Sequence, residues 1–399
     1  MSSNQLSRKL RNMSESATIK MAQKARELKS KGIDVISLSL GEPDFDTPDY
    51  IKEAAKVALD QGITKYTPVS GLLEYRKAIC NKFLRDNNLR FTPSQILVSN
   101  GAKQCIANVC LSLLDEDDEV IILTPYWVSY FEIVKFAGGK PVALYAGIDQ
   151  DYKVSPQQLE EAINHKTKMI IFSSPSNPTG SVYSSDELRA LADVIVRYQH
   201  LYVIADEIYE YINFVGKNPS IAAFPGMRDI TLTINGMSKG FAMTGWRLGY
   251  MGGPEWIIDA CAKVQGQFTS GANAFSQQAA ITALNEDPSK QDYMKEKYLE
   301  RKNLVKEMLD DIEGIKANDP EGAFYFFPEI SSFFGKTNGK RIINDANEFI
   351  DVLLDEANVA AVTGEAFGDP KSFRLSYAAS PEILREALSR MKKTLDTYK

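Results

Sequence analysis

The chain has 399 residues, 44% of them hydrophobic, which is enough for one large domain and a smaller one. Its 46 basic and 52 acidic residues give a net charge of −6, which argues against nucleic acid and anionic membranes as partners and favours chemistry on small molecules. No apolar stretch approaches the roughly 20 residues that span a bilayer, and the four cysteines form no CxxC pair, so we expect a cytoplasmic protein.

The N-terminal part is predicted to hold one helix and a connecting loop. The helix is expected to begin near Ser16, with the serine side chain as its cap. The loop GEPDFDTP at 41–48 then crosses toward the large domain. We assign residues 1–45 to the smaller domain.

From residue 46 to 295, apolar strands alternate with helical stretches, which is the pattern of a largely parallel sheet covered on both faces. Polar or glycine-containing loops follow these strands. Open α/β sheets bind ligands at the carboxyl ends of their strands, so the loops are predicted to meet at one site. The strands and their loops are 95–98 before 99–103, 119–123 before 124–127, 169–172 before 173–180, and 201–205 before 206–209.

A fifth strand, at 231–234, leads into a loop that carries Lys239, and Arg247 follows eight residues later. A lysine at a strand exit can form a Schiff base with an aldehyde cofactor, and a nearby arginine can hold a phosphate. Most lysines are solvated surface charges, so position alone leaves both interpretations of Lys239 open.

The C-terminal part, 296–399, has a different pattern. A charged helix is followed by the strand-like GAFYFF at 322–327, a helix near 345–356 and a strand at 372–377. This order predicts a smaller α+β domain.

Several kinds of chemistry lack their usual residues. The two histidines, His165 and His200, do not follow strands, so a Ser-His-Asp hydrolase is not expected. The sequence has no CxxC or HExxH motif, so most transition-metal sites are not expected. It also has no GxGxxG or GxxxxGK[ST] motif, so the usual nicotinamide and P-loop nucleotide sites are not expected. Pyridoxal phosphate remains, since it needs a lysine, an acidic partner for its ring nitrogen and donors for its phosphate.

The chain offers each of these partners, and each also has a plainer interpretation. Asp206 ends an apolar strand and can pair with a ring nitrogen, or it caps a following helix. Gly101 and Ala102 precede a predicted helix whose N-terminus suits a phosphate, or they form a tight turn. Trp127 can stack on a flat ring or simply pack, and Asn177 can bond a ring hydroxyl or stabilise a turn.

Longer motifs narrow these alternatives. They are GEPDFDTP at 41–48, KYTP at 65–68, PYWVSY at 125–130, NPTG at 177–180, DEIY at 206–209, SK at 238–239, AMTGWR at 242–247, GAFY at 322–325 and RLSY at 374–377. Over nearly its whole length the chain resembles the fold-type I, class I/II pyridoxal-phosphate aminotransferases, specifically the bacterial aspartate aminotransferase subgroup.

The resemblance implies a mostly parallel seven-stranded sheet in a large cofactor-binding domain at 46–295, and a homodimer with shared sites. It implies that Lys239 forms the Schiff base and moves the proton between substrate Cα and cofactor C4′. The other implied cofactor ligands are Asp206 for the ring nitrogen, Tyr209 and Asn177 for the ring hydroxyl, Trp127 against the ring, and Gly101, Ala102, Ser238, Arg247 and the neighbouring subunit's Tyr66 for the phosphate. The resemblance also implies that Arg374, Asn177 and the Gly41 backbone bind the substrate carboxylate, and that Trp127 lines the substrate site.

The resemblance places Lys103 and Thr18 where members of the subgroup read the second carboxylate of aspartate. Many relatives have a basic residue and a proline where this chain has Ser14 and Glu15, so one possible positive charge is lost. The leading hypothesis is transfer of the amino group from L-aspartate to 2-oxoglutarate. The alternatives are an aminotransferase for aromatic amino acids or prephenate, a pyridoxal-phosphate lyase, and a non-catalytic binding protein.

Overall fold

The structure is a computed structural model that describes residues 5–11 and 13–399. Its helices are α1 Arg8–Arg11, α2 Ala17–Ser30, α3 Asp49–Asp60, α4 Leu73–Asn87, α5 Ala102–Leu113, α6 Ser129–Ala137, α7 Pro156–Ala162, α8 Ser185–Ile195, α9 Glu255–Phe268, α10 Ala274–Asn285, α11 Asp292–Asp310, α12 Ala346–Asp355 and α13 Pro381–Leu395. Its strands are β1 Ile36–Ser37, β2 Ile96–Ser99, β3 Glu119–Thr124, β4 Lys140–Tyr145, β5 Thr167–Ser173, β6 Tyr202–Asp206, β7 Thr231–Gly236, β8 Gly249–Gly252, β9 Tyr325–Phe326, β10 Val359–Ala360, β11 Val362–Thr363 and β12 Phe373–Ser376.

Among the described residues, the largest sheet has seven strands in the order β2-β8-β7-β6-β5-β3-β4. Strands β3 to β7 run parallel to one another, and β8 is antiparallel to both of its neighbours. Separate hydrophobic clusters lie on the two faces, one with α5, α6 and α9 and the other with α7 and α8. Because both faces are covered, the central strands are continuous apolar runs rather than alternating ones. The expected mostly parallel sheet is confirmed.

The strand exits predicted from the sequence lie at one edge of this sheet. Strands β2, β3, β5, β6 and β7 end within two residues of the predicted positions. Parallel strands connected by helices all present their carboxyl ends at the same edge, so the loops that follow them are brought together.

The C-terminal elements form a smaller unit, in which β11, β12 and β9 make an antiparallel sheet. Strand β1 pairs in parallel with β10, so the N-terminal segment lies against this C-terminal part. One hydrophobic cluster joins Leu38 to residues of α11, α12 and α13. The division of the chain at residues 45 and 295 stays a prediction.

Two local predictions differ from the structure. The segment 322–327 was expected to be a strand, but only Tyr325–Phe326 is one, because Ala323 has a positive φ of 56° and turns the chain just before it. Ser16 does occupy the N-cap position of α2, yet its side chain makes no capping bond. Its hydroxyl lies 2.9 Å from that of Thr18, so the predicted side-chain cap is wrong.

The four cysteines are free thiols, of which Cys105, Cys110 and Cys261 are buried. Within the described ranges, no helix is long and apolar enough to cross a membrane. The same residues contain no group of histidine, cysteine and acidic side chains that could hold a metal ion.

Candidate active site

A cavity of about 340 Å³ lies at the edge where the parallel strands end. Its walls come from the large sheet, the N-terminal segment and the C-terminal unit. The residues predicted for the site that line it are Thr18, Gly41, Ala102, Lys103, Trp127, Asn177, Asp206, Tyr209, Ser238, Lys239, Arg247 and Arg374. Gly101 lies beside it at the start of α5, whereas Tyr66 lies elsewhere on the chain.

Lys239 is the amine of this cavity. It follows the buried strand β7 by three residues, and its Nζ donates a hydrogen bond to the carbonyl oxygen of Gly41. Burial lowers the pKa of Lys239 to about 8; Glu42 opposes this shift, whereas Arg374 adds to it. A lysine with this pKa is partly neutral near pH 7, and a neutral amine is the form that attacks a carbonyl carbon or accepts a proton.

Asp206 is the buried carboxylate, with 4% of its surface exposed at the end of β6. Tyr130 donates to its Oδ2 at 2.7 Å and the amide of Ile208 donates to its Oδ1 at 3.2 Å. Burial raises the pKa of Asp206 to about 6, and these two bonds oppose the shift. No helix starts after Asp206, because the chain there forms a turn, so the alternative interpretation as a helix cap is wrong.

The start of α5 and Arg247 form a positively charged pocket. Gly101 has a φ of 90°, and a Cβ there would overlap the guanidinium of Arg247, so only glycine lets this side chain lie over the start of the helix. Arg247 is held in place by donating to the carbonyl oxygens of Thr244 at 2.9 Å and Asn100 at 3.2 Å. Free backbone N–H groups at a helix N-terminus, with a cation beside them, suit a phosphate dianion.

Arg374 is a fully enclosed guanidinium on β12, with 1% of its surface exposed. It donates to Asn177 Oδ1 at 2.9 Å and to the carbonyl oxygen of Ser39 at 2.6 Å. Its Nε has no partner among the described residues. A buried cation with an unused N–H beside an open cavity suits a carboxylate ligand, because leaving that donor unpaired is costly.

Lys103 and Thr18 reach the same cavity from the other side. The Lys103 ammonium lies 4.9 Å from the ring centroid of Trp127. Desolvation of the amino group, together with the nearby Arg247, lowers the pKa of Lys103. Lys103 and Arg374 therefore give one cavity two cationic groups.

Two residues of the site were not identified from the sequence. Tyr130 bonds Asp206, and Tyr325 lies 2.7 Å, hydroxyl to hydroxyl, from Tyr209. Their partners are 76 and 116 residues away along the chain. Both belong to quoted motifs, but no local spacing in those motifs indicates which residue their hydroxyls meet.

The cavity thus contains the groups that pyridoxal phosphate requires. Lys239 supplies the amine, Asp206 a buried anion, and Arg247 with the start of α5 a phosphate pocket. The start of α5 with Arg247 beside it fits a phosphate, and the unpaired Nε of Arg374 fits a carboxylate.

Comparison with known proteins points the same way. Residues 33–391 match the profile of the family described as aminotransferase class I and II. The aspartate/prephenate aminotransferase of Cereibacter sphaeroides is 46% identical over 97% of both chains, and the aspartate aminotransferase of Bacillus subtilis is 43% identical over 98% of this chain and 99% of its own. The crystal structure of the Rhizobium meliloti aspartate aminotransferase superposes with a TM-score of 0.96 at 40% identity, covering 99% of this chain and all of that one. The Thermus thermophilus aspartate aminotransferase with maleate gives 0.92 at 41% identity, covering 98% and 99%.

Proposed function

Because the chain belongs to the class I and II aminotransferases, we propose that this pyridoxal-phosphate enzyme transfers the amino group of L-aspartate to 2-oxoglutarate, giving oxaloacetate and L-glutamate. The observation that carries the choice of substrate is the pair of cations in one cavity, Arg374 and Lys103. A dicarboxylate needs one cation at each end, and aspartate, glutamate and their oxo acids all have two carboxylates.

The proposal gives a task to each of the main charged residues of the cavity. Pyridoxal phosphate, when bound, withdraws electrons from the substrate Cα through its ring. Arg247, Ser238 and the start of α5 would hold its phosphate, and the Asp206 carboxylate would pair with its ring nitrogen. Trp127 would lie against its ring, and Tyr209 with Asn177 would bond its ring hydroxyl.

The substrate is held by a second group of residues. Arg374 and Asn177 bind its α-carboxylate, and Lys103 with Thr18 binds its distal one. Lys239 Nζ removes a proton from the substrate Cα and returns it on the cofactor side, as its lowered pKa near 8 permits.

The half-reaction with a single substrate tests this function. Purified enzyme carrying its cofactor is mixed with L-aspartate alone, and the visible spectrum and the oxaloacetate formed are followed. We expect one equivalent of oxaloacetate per site, with a spectral change that 2-oxoglutarate reverses. Release of ammonia instead would indicate a lyase. If adding L-aspartate left the visible spectrum unchanged, the proposed substrate would be ruled out.

Lys103→Ala should weaken the enzyme for dicarboxylates only. A hydrogen bond to a charged group contributes roughly 1.5–3 kcal/mol, so we expect kcat/KM for aspartate to fall about 10- to 150-fold. L-Alanine has no second carboxylate, and its kcat/KM serves as the control because it should stay within about twofold of the wild-type value. Equal losses for both donors would contradict the role of Lys103.

A second candidate is an aminotransferase for aromatic amino acids or prephenate. Ile19, Leu40 and Trp127 give the cavity an apolar wall that suits an aromatic side chain. The name of the Cereibacter relative includes prephenate as well as aspartate. Comparing aspartate, phenylalanine and alanine as amino donors separates the two candidates. A preference for phenylalanine would show that aspartate is not the main donor, while the aminotransferase mechanism would still hold.

We also propose that the enzyme is a homodimer in which Tyr66 serves the partner's site. Tyr66 is 98% exposed and lies in a hollow formed by 64–67 and 271–275, away from its own Lys239. Because it is so exposed, Tyr66 is free to contact a second copy of the chain.

Mixing two defective variants tests this arrangement. Lys239→Ala and Tyr66→Ala dimers are allowed to exchange subunits at limiting cofactor. If the sites are shared, one site of each hybrid has an intact Lys239 and an intact Tyr66, so activity rises above that of either parent. If Tyr66 acts within its own chain, every site lacks one of the two residues and mixing restores nothing.

A cytoplasmic location is proposed from the four free thiols, since a reducing compartment keeps cysteines unpaired. Cell fractionation tests it, and recovery of the enzyme from a secreted fraction would contradict it.

A further inference from the structure

Tyr325 lies against three residues that the family resemblance assigns to the cofactor or the substrate, namely Tyr209, Arg374 and Gly41, although Tyr325 itself has been given no role. It lies on β9, next to the strand β12 that carries Arg374, and its side chain is fully buried. Its hydroxyl is 2.7 Å from the hydroxyl of Tyr209, and its ring centroid is 4.6 Å from the guanidinium carbon of Arg374. A Cβ on Gly41 would overlap the Tyr325 hydroxyl.

A bound cofactor would determine which of the two hydroxyls, Tyr209 or Tyr325, donates the hydrogen bond between them. Each phenol has one proton, and the 2.7 Å distance allows either to donate. Among the described residues, Tyr209 is the only hydrogen-bond partner of the Tyr325 hydroxyl, and Arg374 beside it cannot accept. If Tyr209 gives its proton to the ring oxygen of the cofactor, the Tyr325 proton has only Tyr209 to bond.

Such a chain of hydrogen bonds strengthens each donor along it. A phenol that accepts a bond becomes a better donor, so Tyr325 increases the stabilisation that Tyr209 gives to a negatively charged ring oxygen. Burial raises the pKa of both phenols, so both remain protonated and able to donate over the working pH range.

The ring of Tyr325 has a separate effect on Arg374. The guanidinium contacts both this ring and that of Phe367, whose centroid is 4.9 Å from the guanidinium carbon. Two aromatic faces leave a planar cation little freedom to rotate. The orientation of the Arg374 guanidinium is therefore fixed before a carboxylate arrives.

We propose that Tyr325 is a positioning residue with two separable effects: its hydroxyl directs the Tyr209 proton to the ring oxygen of the cofactor, and its ring holds Arg374 in the plane that receives the substrate carboxylate. The inference rests on the proposed roles of Tyr209 and Arg374. It does not depend on which amino acid is the donor, since every donor has an α-carboxylate.

Two substitutions separate the effects. Tyr325→Phe removes only the hydroxyl, and the pH midpoint at which the visible absorbance of the cofactor-loaded enzyme changes should rise by about 0.4 to 1 unit, the equivalent of one neutral hydrogen bond. Its KM values for aspartate and phenylalanine should stay within about twofold of wild type. Tyr325→Leu also removes the ring, and we expect both KM values to rise about 2- to 30-fold.

Tyr298→Phe is the matched control, because it removes another buried hydroxyl from the same aromatic cluster without altering the cavity wall. It should leave the midpoint unchanged, and circular dichroism checks that all variants fold. An unchanged midpoint in Tyr325→Phe would overturn the hydroxyl role, and unchanged KM values in Tyr325→Leu would overturn the ring role. If the wild-type enzyme does not react with aspartate, the proposed substrate is wrong. If Tyr325→Phe nevertheless shifts the pH midpoint, the role of the Tyr325 hydroxyl is still supported.

Discussion

Lys239→Ala is expected to lower kcat for transamination by at least about 10⁴-fold, because we propose that this one residue is both the covalent anchor of the cofactor and the group that moves the proton. No histidine lines the cavity to replace it. The variant should also lose the visible absorbance change that marks covalent attachment of the cofactor.

Lys103→Ala is the control for a general loss of positive charge in the cavity. It removes a lysine that lines the same cavity but should keep the attached cofactor and its absorbance. If Lys239→Ala retained the absorbance, the amine that binds the cofactor would have to be a different one.

Lys82→Met is expected to destabilise the folded protein by about 3–5 kcal/mol, which is the usual cost of leaving one partner of a buried ion pair alone. Lys82 lies on α4 with no exposed surface, and its Nζ contacts Glu210 and donates to Asn87 Oδ1 at 2.7 Å. Asn87 in turn donates to Glu210 at 3.0 Å and to Glu207 at 3.3 Å.

The charge state of this network identifies the partner that would be left unpaired. Burial, together with the nearby Glu210, raises the pKa of Glu207 to about 8, so Glu207 is mostly protonated at pH 7. The acids that remain beside Lys82 are Glu210, which is its direct contact, and Asp86, whose carboxylate lies 3.8 Å from the Lys82 Nζ. Without the lysine, the buried Glu210 loses its cation.

Urea denaturation of Lys82→Met measures the loss, and the double variant Lys82→Met/Glu210→Gln is its control. Removing both charges should recover most of the stability, because a neutral pair leaves no unpaired ion. A loss below about 1 kcal/mol in the single variant would mean that the network is solvated in solution rather than buried.

The sequence predicts the sheet and the lysine better than it predicts the partners of individual polar groups. Strand exits are local patterns, so Asp206, Asn177 and Lys239 can be placed from the chain alone. The burial of Lys82 cannot, because its helix is polar overall and the acid that neutralises it comes from the turn after β6.

The same limit applies to hydroxyl groups. Ser16 has the residue type and position of a helix cap, yet its hydroxyl meets Thr18 instead. Tyr130 and Tyr325 form hydrogen bonds to residues 76 and 116 positions away along the chain. The residue type alone does not indicate which distant residue a hydroxyl will contact.

The hydrogen bond from Arg374 to Ser39 has a consequence for how the enzyme is made. It joins residues 335 positions apart, one near each end of the chain, while the residues proposed to hold the cofactor's ring and phosphate within one subunit lie between 101 and 247. During synthesis on the ribosome, the residues for the cofactor are therefore complete long before the clamp for the substrate carboxylate. A nascent or C-terminally truncated chain that ends before β12 lacks Arg374, the cation proposed for the α-carboxylate, so we expect it to bind amino acids weakly even where its cofactor residues are complete.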